Sequence, residues 1–209
     1  MRLRKKKWAS PLIKEYTGVF VLENAMLEKE IKINQINALE IGAGKGGFIV
    51  GMAKKHKNVN FYGIEQNQSA FALCLKKLIN EEEQLSNVKI IRSDVNDVIE
   101  LIKDESIDTI YLNFSDPWPK SRHHKRRLTY PLMLDKYKRI LKKEGKIFFK
   151  TDNELLFNDS IEYFKEKEWH FINVDYDYQL DKDDVMTEYE EKFRSMGNKI
   201  YRLIVSKER

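Results

Sequence analysis

Four acidic residues stand where short apolar segments of the chain end, and together they suit a positively charged ligand. Glu40 lies near the end of one segment, just before a run of glycines. Glu65, Asp94 and Asp116 each follow a later segment. Clustered carboxylates would repel a diphosphate, whereas they attract a molecule that carries a sulfonium and an ammonium group and no phosphate. S-adenosylmethionine has these groups, and we predict it as the cofactor.

A glycine-rich loop with the sequence EIGAGKGGF spans residues 40–48. Glycines at a turn from strand to helix let the backbone approach a ligand closely, and we predict cofactor contacts at Gly42, Gly44 and Gly46. Gly42, Gly44 and Gly47 also satisfy the dinucleotide fingerprint, which places a ribose-binding acid about twenty residues later. The glycines alone therefore leave a nicotinamide enzyme as an alternative.

Each acid has a specific predicted role. Glu65 accepts hydrogen bonds from the two ribose hydroxyls, Asp94 accepts one from the adenine amino group, and Glu40 lies near the methionine part of the cofactor. Two simpler roles remain open. Asp94 is also placed to cap a helix that starts near Asn96, and Glu40 is also a candidate ion-pair partner for Lys45.

The fourth acid, Asp116, lies in an unusual segment with the sequence LNFSDPWPKSRHHKRR. Pro117 and Pro119 lack backbone donors, so a strand must end shortly before them. This places Asp116 at the carboxyl edge of a sheet, where α/β proteins bind their ligands. Taken alone, Asp-Pro-Trp is also an ordinary turn sequence.

Two clusters stand out among the basic residues of the chain. The chain has 38 Lys and Arg against 33 Asp and Glu, a net charge of +5. Two basic clusters on a small protein favour a polyanionic partner, because each neutralised phosphate releases a counterion. The first cluster is also consistent with a solubilising tail. The clusters are Arg2, Arg4, Lys5, Lys6 and Lys7, and Lys120, Arg122, Lys125, Arg126 and Arg127.

The N-terminal segment does not resemble a secretory signal, because Pro11, Lys14 and Glu15 stand where a signal peptide would be apolar. No apolar run approaches the roughly eighteen residues of a membrane span. We therefore expect a soluble protein of the cytoplasm, with no membrane association. No obligate protein partner is evident, and we expect a monomer or a homodimer.

No metal site is predicted. Cys74 is the only cysteine and lies in an apolar helical pattern, where it is expected to pack as a small hydrophobic side chain. His123 and His124 are adjacent, so a helix or strand would point them apart. We expect both histidines to be solvated and to face RNA.

The elements that must position these residues follow an alternating pattern. From residue 37 onward, short strands alternate with helices, which predicts an α/β fold: a mostly parallel, Rossmann-like sheet with helices on both faces. Two final strands, separated by an acidic segment, predict an antiparallel pair at one edge. We expect a single domain, 1–209, with residues 1–36 as an irregular or helical lead-in. The predicted strands are Ala38–Ile41, Val59–Ile64, Val88–Arg92, Ile107–Phe114, Lys146–Lys150, Trp169–Tyr176 and Lys199–Ser206, and the predicted helices are Gly46–Lys55, Ser69–Glu83, Asn96–Ile102, Tyr130–Lys142, which Gly145 would stop, and Glu154–Lys167.

These motifs resemble a known family over nearly the whole chain: the bacterial tRNA (guanine-N7-)-methyltransferases. The hallmark is SDPWPKSRHHKRR at residues 115–127, supported by FKTDN at 149–153 and MTEYEEKF at 186–193. The resemblance implies a class I S-adenosylmethionine-dependent methyltransferase that modifies N7 of a guanosine in the variable loop of tRNA (position 46). Asp116 would be the catalytic residue. The implied cofactor contacts are Glu40, Glu65, Asp94 and Asp116, and the implied substrate contacts are Lys120, Asp152, Thr187, Glu188, Tyr189 and Glu190.

The chemistry of N7 fits a carboxylate at this place. Guanine N7 carries an in-plane lone pair and no proton, so methyl transfer needs alignment more than a base. Asp116 can stabilise the positive charge that passes onto the guanine. Trp118 has two open roles, stacking on the base or packing in the core.

Simpler roles remain for several implied substrate contacts. Asp152 precedes a helix at Glu154, so capping is the favoured interpretation for it. Thr187 and Glu190 have the spacing of a capping box.

Two other functions remain open. One is methylation of an exocyclic amino group of a nucleic acid, although such enzymes place the aromatic residue after both prolines, whereas Trp118 lies between them. The other is RNA binding without catalysis, against which the intact Asp116 argues.

Overall fold

The computed structural model of the protein describes residues 6–208, so Arg2, Arg4 and Lys5 of the first basic cluster lie outside the described residues. Its centre is a sheet of eight strands, covered by helices. The strands are β1 (Val21–Leu22), β2 (Asn37–Ile41), β3 (Asn60–Ile64), β4 (Val88–Ile91), β5 (Ile107–Asn113), β6 (Leu141–Thr151), β7 (His170–Asp175) and β8 (Tyr201–Ser206). The helices are α1 (Ala9–Glu15), α2 (Leu27–Glu30), α3 (Gly47–Lys55), α4 (Gln68–Ile79), α5 (Val95–Ile99), α6 (Pro131–Ile140), α7 (Glu154–Glu166) and α8 (Glu188–Ser195).

The strand order is β1-β4-β3-β2-β5-β6-β8-β7. The first six strands pair in parallel, so their carboxyl ends meet at one edge. The chain proceeds outward from β2 through β3 to β4 and then returns to place β5 on the other side of β2. The boundary between β2 and β5 is therefore the switch point at which ligands of such sheets bind.

Alternating side chains explain why the sheet is covered on both faces. All five residues of β2 are buried. Ala38 packs into one apolar cluster, whereas Leu39 and Ile41 pack into the other. Because successive side chains of a strand point to opposite faces, the two clusters form two layers of core, one on each side of the sheet.

The end of the chain confirms the predicted antiparallel pair. β8 pairs antiparallel with both β6 and β7, so the last strand in sequence lies between two earlier ones. β7 forms the edge of the sheet.

Two parts of the fold differ from the sequence prediction. The lead-in contributes a strand, because β1 pairs in parallel with β4, and α1 packs on α4. Gly145 does not stop a helix. The preceding helix ends at Ile140, and Gly145 lies inside β6, where a Cβ atom would stand 2.8 Å from the Leu141 side chain and from the Lys142 carbonyl.

None of the helices within residues 6–208 combines the length and the apolar character that crossing a membrane requires.

Candidate active site

The glycine loop between β2 and α3 adopts backbone angles that favour glycine. Gly42, Gly44 and Gly46 have φ of 84°, 56° and 82°. The amide of Gly42 donates to the carbonyl of Ile64 at 2.8 Å, which ties the loop to β3. A Cβ atom on Gly46 would collide with the sulfur of Cys74. The predicted loop is thus confirmed as a tight turn at the carboxyl edge, with Cys74 buried beneath it.

Glu65, at the end of β3, faces the same loop. Its carboxylate accepts hydrogen bonds from the amides of Gly44 at 3.0 Å and Asn67 at 2.7 Å. Burial raises the pKa of Glu65, those two hydrogen bonds oppose the rise, and the charge of Asp116 adds to it. The structure therefore brings Glu65 and Asp116 close enough to interact electrostatically.

Asp94 lies exposed after β4 and caps α5. Its Oδ1 atom accepts from the amide of Asn96 at 2.8 Å, so the simpler role is confirmed. Its Oδ2 atom has no partner among residues 6–208. Capping thus leaves one carboxylate oxygen for a ligand.

Glu40 is buried at the switch point, with 3% of its surface exposed. Its Oε1 atom accepts from the side-chain amide of Asn113 on β5 at 3.1 Å. The alternative partner, Lys45, is exposed and forms no ion pair within the described part of the chain, so that pairing is wrong. Asn113 was not predicted as a site residue, although a polar residue at the end of an apolar strand could have indicated it.

The loop that carries Asp116 begins where β5 ends, at Asn113, and it is locally strained. Phe114 and Trp118, on either side of Asp116, have φ of 50° and 40°. Positive φ is uncommon for residues other than glycine and concentrates at functional sites. Asp116 itself is exposed at the carboxyl edge, as predicted.

Arg127 holds this loop in place. Its Nε atom donates to the carbonyl of Pro117 at 2.8 Å, next to Asp116. One terminal nitrogen donates to Asp159 on α7 at 2.7 Å and the other lies 3.0 Å from His124. The predicted RNA contact at Arg127 disagrees with this position, because the residue is 1% exposed and its guanidinium is engaged by the protein. His124 is likewise packed against Arg127 instead of being fully solvated.

The other members of the second basic cluster face solvent. A 3-10 helix, Ser121–Arg126, presents them beside the Asp116 loop. The Arg126 guanidinium lies 4.9 Å from the centre of the Trp118 ring, and His123 meets that ring edge-on at 5.9 Å. Trp118 is half-buried and belongs to neither apolar cluster, which argues against the core role. The exposed cations are Lys120, Arg122, Lys125 and Arg126.

Thr187 and Glu190 stabilise α8. The hydroxyl of Thr187 accepts from the amide of Glu190 at 2.9 Å, which confirms the Thr187 half of the capping box. The Glu190 carboxylate is fully buried and bonds Lys150 at 2.9 Å and Arg194 at 2.8 Å. The implied substrate contact at Glu190 disagrees with this burial, because both of its oxygens bind protein cations.

Lys150 was not singled out by the sequence and is the centre of a buried ion cluster. It lies at the end of β6 with 2% of its surface exposed, 2.9 Å from both Asp184 and Glu190. Its ammonium group also lies 5.3 Å from the Phe48 ring on α3. These contacts fasten the segment that contains α8 over the carboxyl edge.

The first turn of α8 points toward the glycine loop. The Glu188 carboxylate pairs with Lys77 at 2.7 Å and packs so closely that a Cβ atom on Gly47 would stand 2.5 Å from it. Tyr189 is exposed and stacks on Phe193, with ring centres 6.4 Å apart.

An aromatic row connects α8 to the Asp116 loop. Phe193 stacks in turn on Phe114, at 5.9 Å, and Phe114 begins that loop. The row places Tyr189 on the same side of the molecule as Asp116.

Asp152 is not a helix cap. Asn153 caps α7 instead, through a hydrogen bond of 2.8 Å from the amide of Leu156. The predicted cap at Asp152 is therefore wrong by one residue. Burial raises the pKa of the half-buried Asp152 carboxyl, which lies just beyond β6 at the carboxyl edge.

Comparison with known proteins identifies the family. A family described as putative methyltransferase matches residues 34–203. A tRNA (guanine-N(7)-)-methyltransferase of Clostridium tetani is 41% identical, covering 98% of both chains. Proteins of the same name from Exiguobacterium sibiricum and Oceanobacillus iheyensis are 40% and 42% identical, covering 97% of each chain.

Solved structures support the fold. A 30S ribosomal A1408 methyltransferase from an uncultured bacterium has a TM-score of 0.63 at 15% identity, covering 88% of this chain and 94% of that one. The 16S rRNA methyltransferase KamB has a TM-score of 0.63 at 12% identity, covering 87% and 92%. The fold is that of class I, Rossmann-like methyltransferases, and the chain belongs to the family of tRNA (guanine-N(7)-)-methyltransferases.

Proposed function

We propose that this protein transfers a methyl group from S-adenosylmethionine to N7 of a guanosine in tRNA. The observation that carries the proposal is the acidic edge of the sheet: Glu40, Glu65, Asp94 and Asp116 stand at the carboxyl ends of four neighbouring strands. The family to which the chain belongs indicates that the substrate is tRNA and that the methylated atom is N7 of a guanosine. By resemblance, the guanosine is the one in the variable loop of tRNA, at position 46.

The residues of the edge fit the cofactor. Glu40 Oε2 and Asn113 Oδ1 are buried acceptors without a partner in the described structure, and an ammonium group has the donors they lack. Each oxygen of Glu65 accepts one backbone amide and keeps a lone pair with which it would accept from a ribose hydroxyl. The Oδ2 atom of Asp94 would accept from the adenine amino group. S-adenosylmethionine supplies an electrophilic methyl group on its sulfonium.

Asp116 would act on the guanine. A carboxylate fixed beside the base stabilises the positive charge that the ring acquires as N7 is methylated, and it can accept from the N1 and amino protons of the base. The loop is set before the substrate arrives, because Arg127 holds the Pro117 carbonyl. Alignment by such a loop contributes more than proton transfer, since N7 carries no proton.

The tRNA would lie across the exposed cations beside the Asp116 loop. Lys120, Arg122 and Arg126 are placed to neutralise phosphates, and Trp118 offers a ring for stacking next to Asp116. Tyr189, which the aromatic row connects to the Asp116 loop, and Asp152, just beyond β6, are the further substrate contacts that we retain. The enzyme would act in the cytoplasm as a monomer or homodimer, without an obligate protein partner.

A strand-scission assay tests the proposal. The protein is incubated with S-adenosylmethionine and an unmodified tRNA transcript, and the product is treated with borohydride and aniline, which cleave at 7-methylguanosine. Cleavage at one guanosine of the variable loop is expected. A transcript with adenosine at that position is the control and should resist cleavage.

The same assay separates the two alternatives. Methyl incorporation without cleavage would identify an amino-group methyltransferase. Binding of the tRNA without methyl incorporation would identify an RNA-binding protein that lacks catalysis.

A further inference from the structure

His124 belongs to the support of the Asp116 loop, although the sequence predicts it as a solvated residue. Its Nε2 atom lies 3.0 Å from a terminal nitrogen of Arg127, and its Nδ1 atom lies 3.5 Å from the hydroxyl of Tyr163 on α7. That hydroxyl accepts from the other terminal nitrogen of Arg127 at 3.3 Å. The three side chains therefore form a closed ring of contacts.

The direction of the bond between Arg127 and His124 follows from their chemistry. A guanidinium has only donors and keeps its charge at every pH at which proteins are folded. His124 must therefore accept at Nε2, which requires the neutral imidazole with its proton on Nδ1. In that tautomer Nδ1 carries a donor on the side of the Tyr163 hydroxyl. A protonated imidazole would instead have donors at both nitrogens and would place a like charge beside the guanidinium.

The loop that Arg127 supports depends on external contacts because its backbone is strained. Phe114 and Trp118 have φ of 50° and 40°, and such conformations persist only where the surrounding structure holds them. The carbonyl to which Arg127 donates, at 2.8 Å, belongs to Pro117, which lies between these two residues and directly after Asp116. The position of Asp116 is thus coupled to the orientation of the guanidinium.

His124 has a specific share in that orientation. Nε of Arg127 donates to the Pro117 carbonyl, and one terminal nitrogen donates to Asp159 and Tyr163. Among residues 6–208, the other terminal nitrogen has His124 as its only acceptor. Because Arg127 is 1% exposed, solvent has little access to replace a lost acceptor, and a buried donor without a partner destabilises the arrangement that leaves it so.

We propose that neutral His124 is a positioning residue for methyl transfer, because the bond that it accepts from Arg127 keeps the Asp116 loop in its strained form. Protonation of His124 removes the acceptor, turns the guanidinium and loosens the loop. Methylation therefore decreases as the pH falls through the range in which an imidazole gains its charge. The inference rests on the proposed function for the role of Asp116.

The titratable and charged groups around His124 come from two elements. Tyr163 faces it from α7, and Asp159 of the same helix binds Arg127. A second histidine, His123, precedes it in the 3-10 helix, so a pH profile of the parent protein alone does not distinguish the two imidazoles. The exposed cations of that helix are Arg122, Lys125 and Arg126.

Two substitutions separate the acceptor from its titration. His124→Gln offers an amide oxygen that accepts and gains no proton in this range, whereas His124→Leu has no acceptor. At about pH 8, kcat of the Gln variant should lie within about twofold of the parent value, and kcat of the Leu variant should be at least about fivefold lower, as expected for one lost hydrogen bond to a charged group.

The pH profiles should then diverge. At about pH 5.5, where a model imidazole is about nine-tenths charged, kcat of the parent should approach that of the Leu variant, and the Gln variant should exceed the parent at least about threefold. Other groups titrate alike in the parent and the Gln variant, so this difference belongs to position 124. His170→Gln, on the edge strand β7, is the matched control and should keep the parent profile.

Two further measurements do not depend on activity. In protein labelled with nitrogen-15 histidine, long-range NMR correlations at about pH 8 should show the proton of His124 on Nδ1, in the signal that the Gln variant lacks. Amide exchange of residues 114–118 should be faster in His124→Leu than in the parent and unchanged in His124→Gln.

The outcomes separate this proposal from the proposed function. A proton on Nε2 of neutral His124 overturns it, because that tautomer cannot accept from Arg127. Equal pH profiles of the parent and the Gln variant also overturn it, as does equal amide exchange in the parent and the Leu variant. Absence of N7 methylation by the parent counts against the proposed function, and the NMR and exchange measurements then decide whether His124 supports the loop. The tautomer is measured on the parent chain and does not require that the Leu variant folds.

Discussion

At the scale of single residues, neighbours in the Asp116 loop have opposite roles. Asp116 is exposed at the carboxyl edge, whereas Arg127, which ends the same motif, is 1% exposed and donates to the carbonyl of Pro117. Arg126, one position earlier, is exposed and lies over Trp118. A run of basic residues thus contains both surface charges and a structural support.

Asp116→Ala should lower turnover more than tenfold while binding of S-adenosylhomocysteine remains measurable. The substitution removes a charge placed for the transition state and leaves the buried Glu40 and the glycine loop intact. Single-turnover methylation and calorimetry provide the two measurements. Glu144→Ala, an exposed acid near the amino-terminal end of β6, is the control and should not change either value. Full turnover in the Asp116 variant would exclude the residue from catalysis.

Arg127→Met should destabilise the protein by about 3 kcal/mol and slow methylation, because Asp159 and the Pro117 carbonyl lose their partner. The salt dependence of tRNA binding should not change, since the buried guanidinium neutralises no phosphate. Urea unfolding and filter binding over a range of salt measure the two effects. A smaller salt slope would show that Arg127 reaches the RNA after all.

At the scale of elements, α8 depends on charges buried beneath it. Lys150 at the end of β6 connects to Asp184 and Glu190, and Glu190 continues to Arg194. Removing one member of a buried ion cluster leaves an uncompensated charge, which costs more than the intact pair contributes. The stability of α8, whose first turn faces the glycine loop, is therefore coupled to that of the sheet through Lys150.

Lys150→Met should cost about 3–5 kcal/mol in the free energy of unfolding. The double variant Lys150→Met with Glu190→Leu should lose less than the sum of the two single variants, because it leaves fewer unpaired charges. Lys165→Met, which breaks the exposed pair with Glu162, is the matched control and should have little effect. Additive losses in the double variant would contradict the predicted coupling.

At the scale of the whole molecule, a group of exposed basic residues and a group of acidic residues lie next to each other but stay separate. The acids stand at the carboxyl edge of the sheet, and the exposed cations lie next to the Asp116 loop. This separation suits the proposed function, in which the basic surface would hold phosphates and the acidic edge would attract a cationic cofactor. A net charge of +5 gives only a weak indication of this separation.

Replacing Arg122, Lys125 and Arg126 together by Ala should weaken tRNA binding and reduce the slope of log K against log salt by about two to three. Replacing Lys29, Lys32 and Lys103 is the matched control, because these exposed cations flank the amino-terminal ends of β2 and β5. The control should leave the slope near that of the parent. An equal reduction in both variants would indicate that tRNA binds without a preferred face.

The sequence predicts the sheet well because the signals of this fold are local. Alternation of apolar strands and amphipathic helices, and prolines after Asp116, are readable along the chain. The features that the sequence does not predict depend on residues that are far apart in the chain and close together in the fold. Arg127 is buried because Asp159 and Pro117 lie beside it, and Asn113 becomes important only because β5 returns to the side of β2.

The boundaries of elements show the same limit. Gly145 has the appearance of a helix stop, but pairing with β5 extends β6 back to Leu141. Asp152 and Asn153 are equally good caps by type, and only the geometry of α7 selects the second.

The position of β8 has a consequence for biosynthesis. Since β8 separates β6 from β7, a growing polypeptide on the ribosome cannot dock β7 until residues 201–206 have emerged from the exit tunnel. The parallel strands β1 to β6 can assemble during translation. The antiparallel part of the sheet, formed by β7 and β8 beside β6, can assemble only after β8 has been made. Newly made protein should therefore become competent for methylation only after synthesis has passed β8.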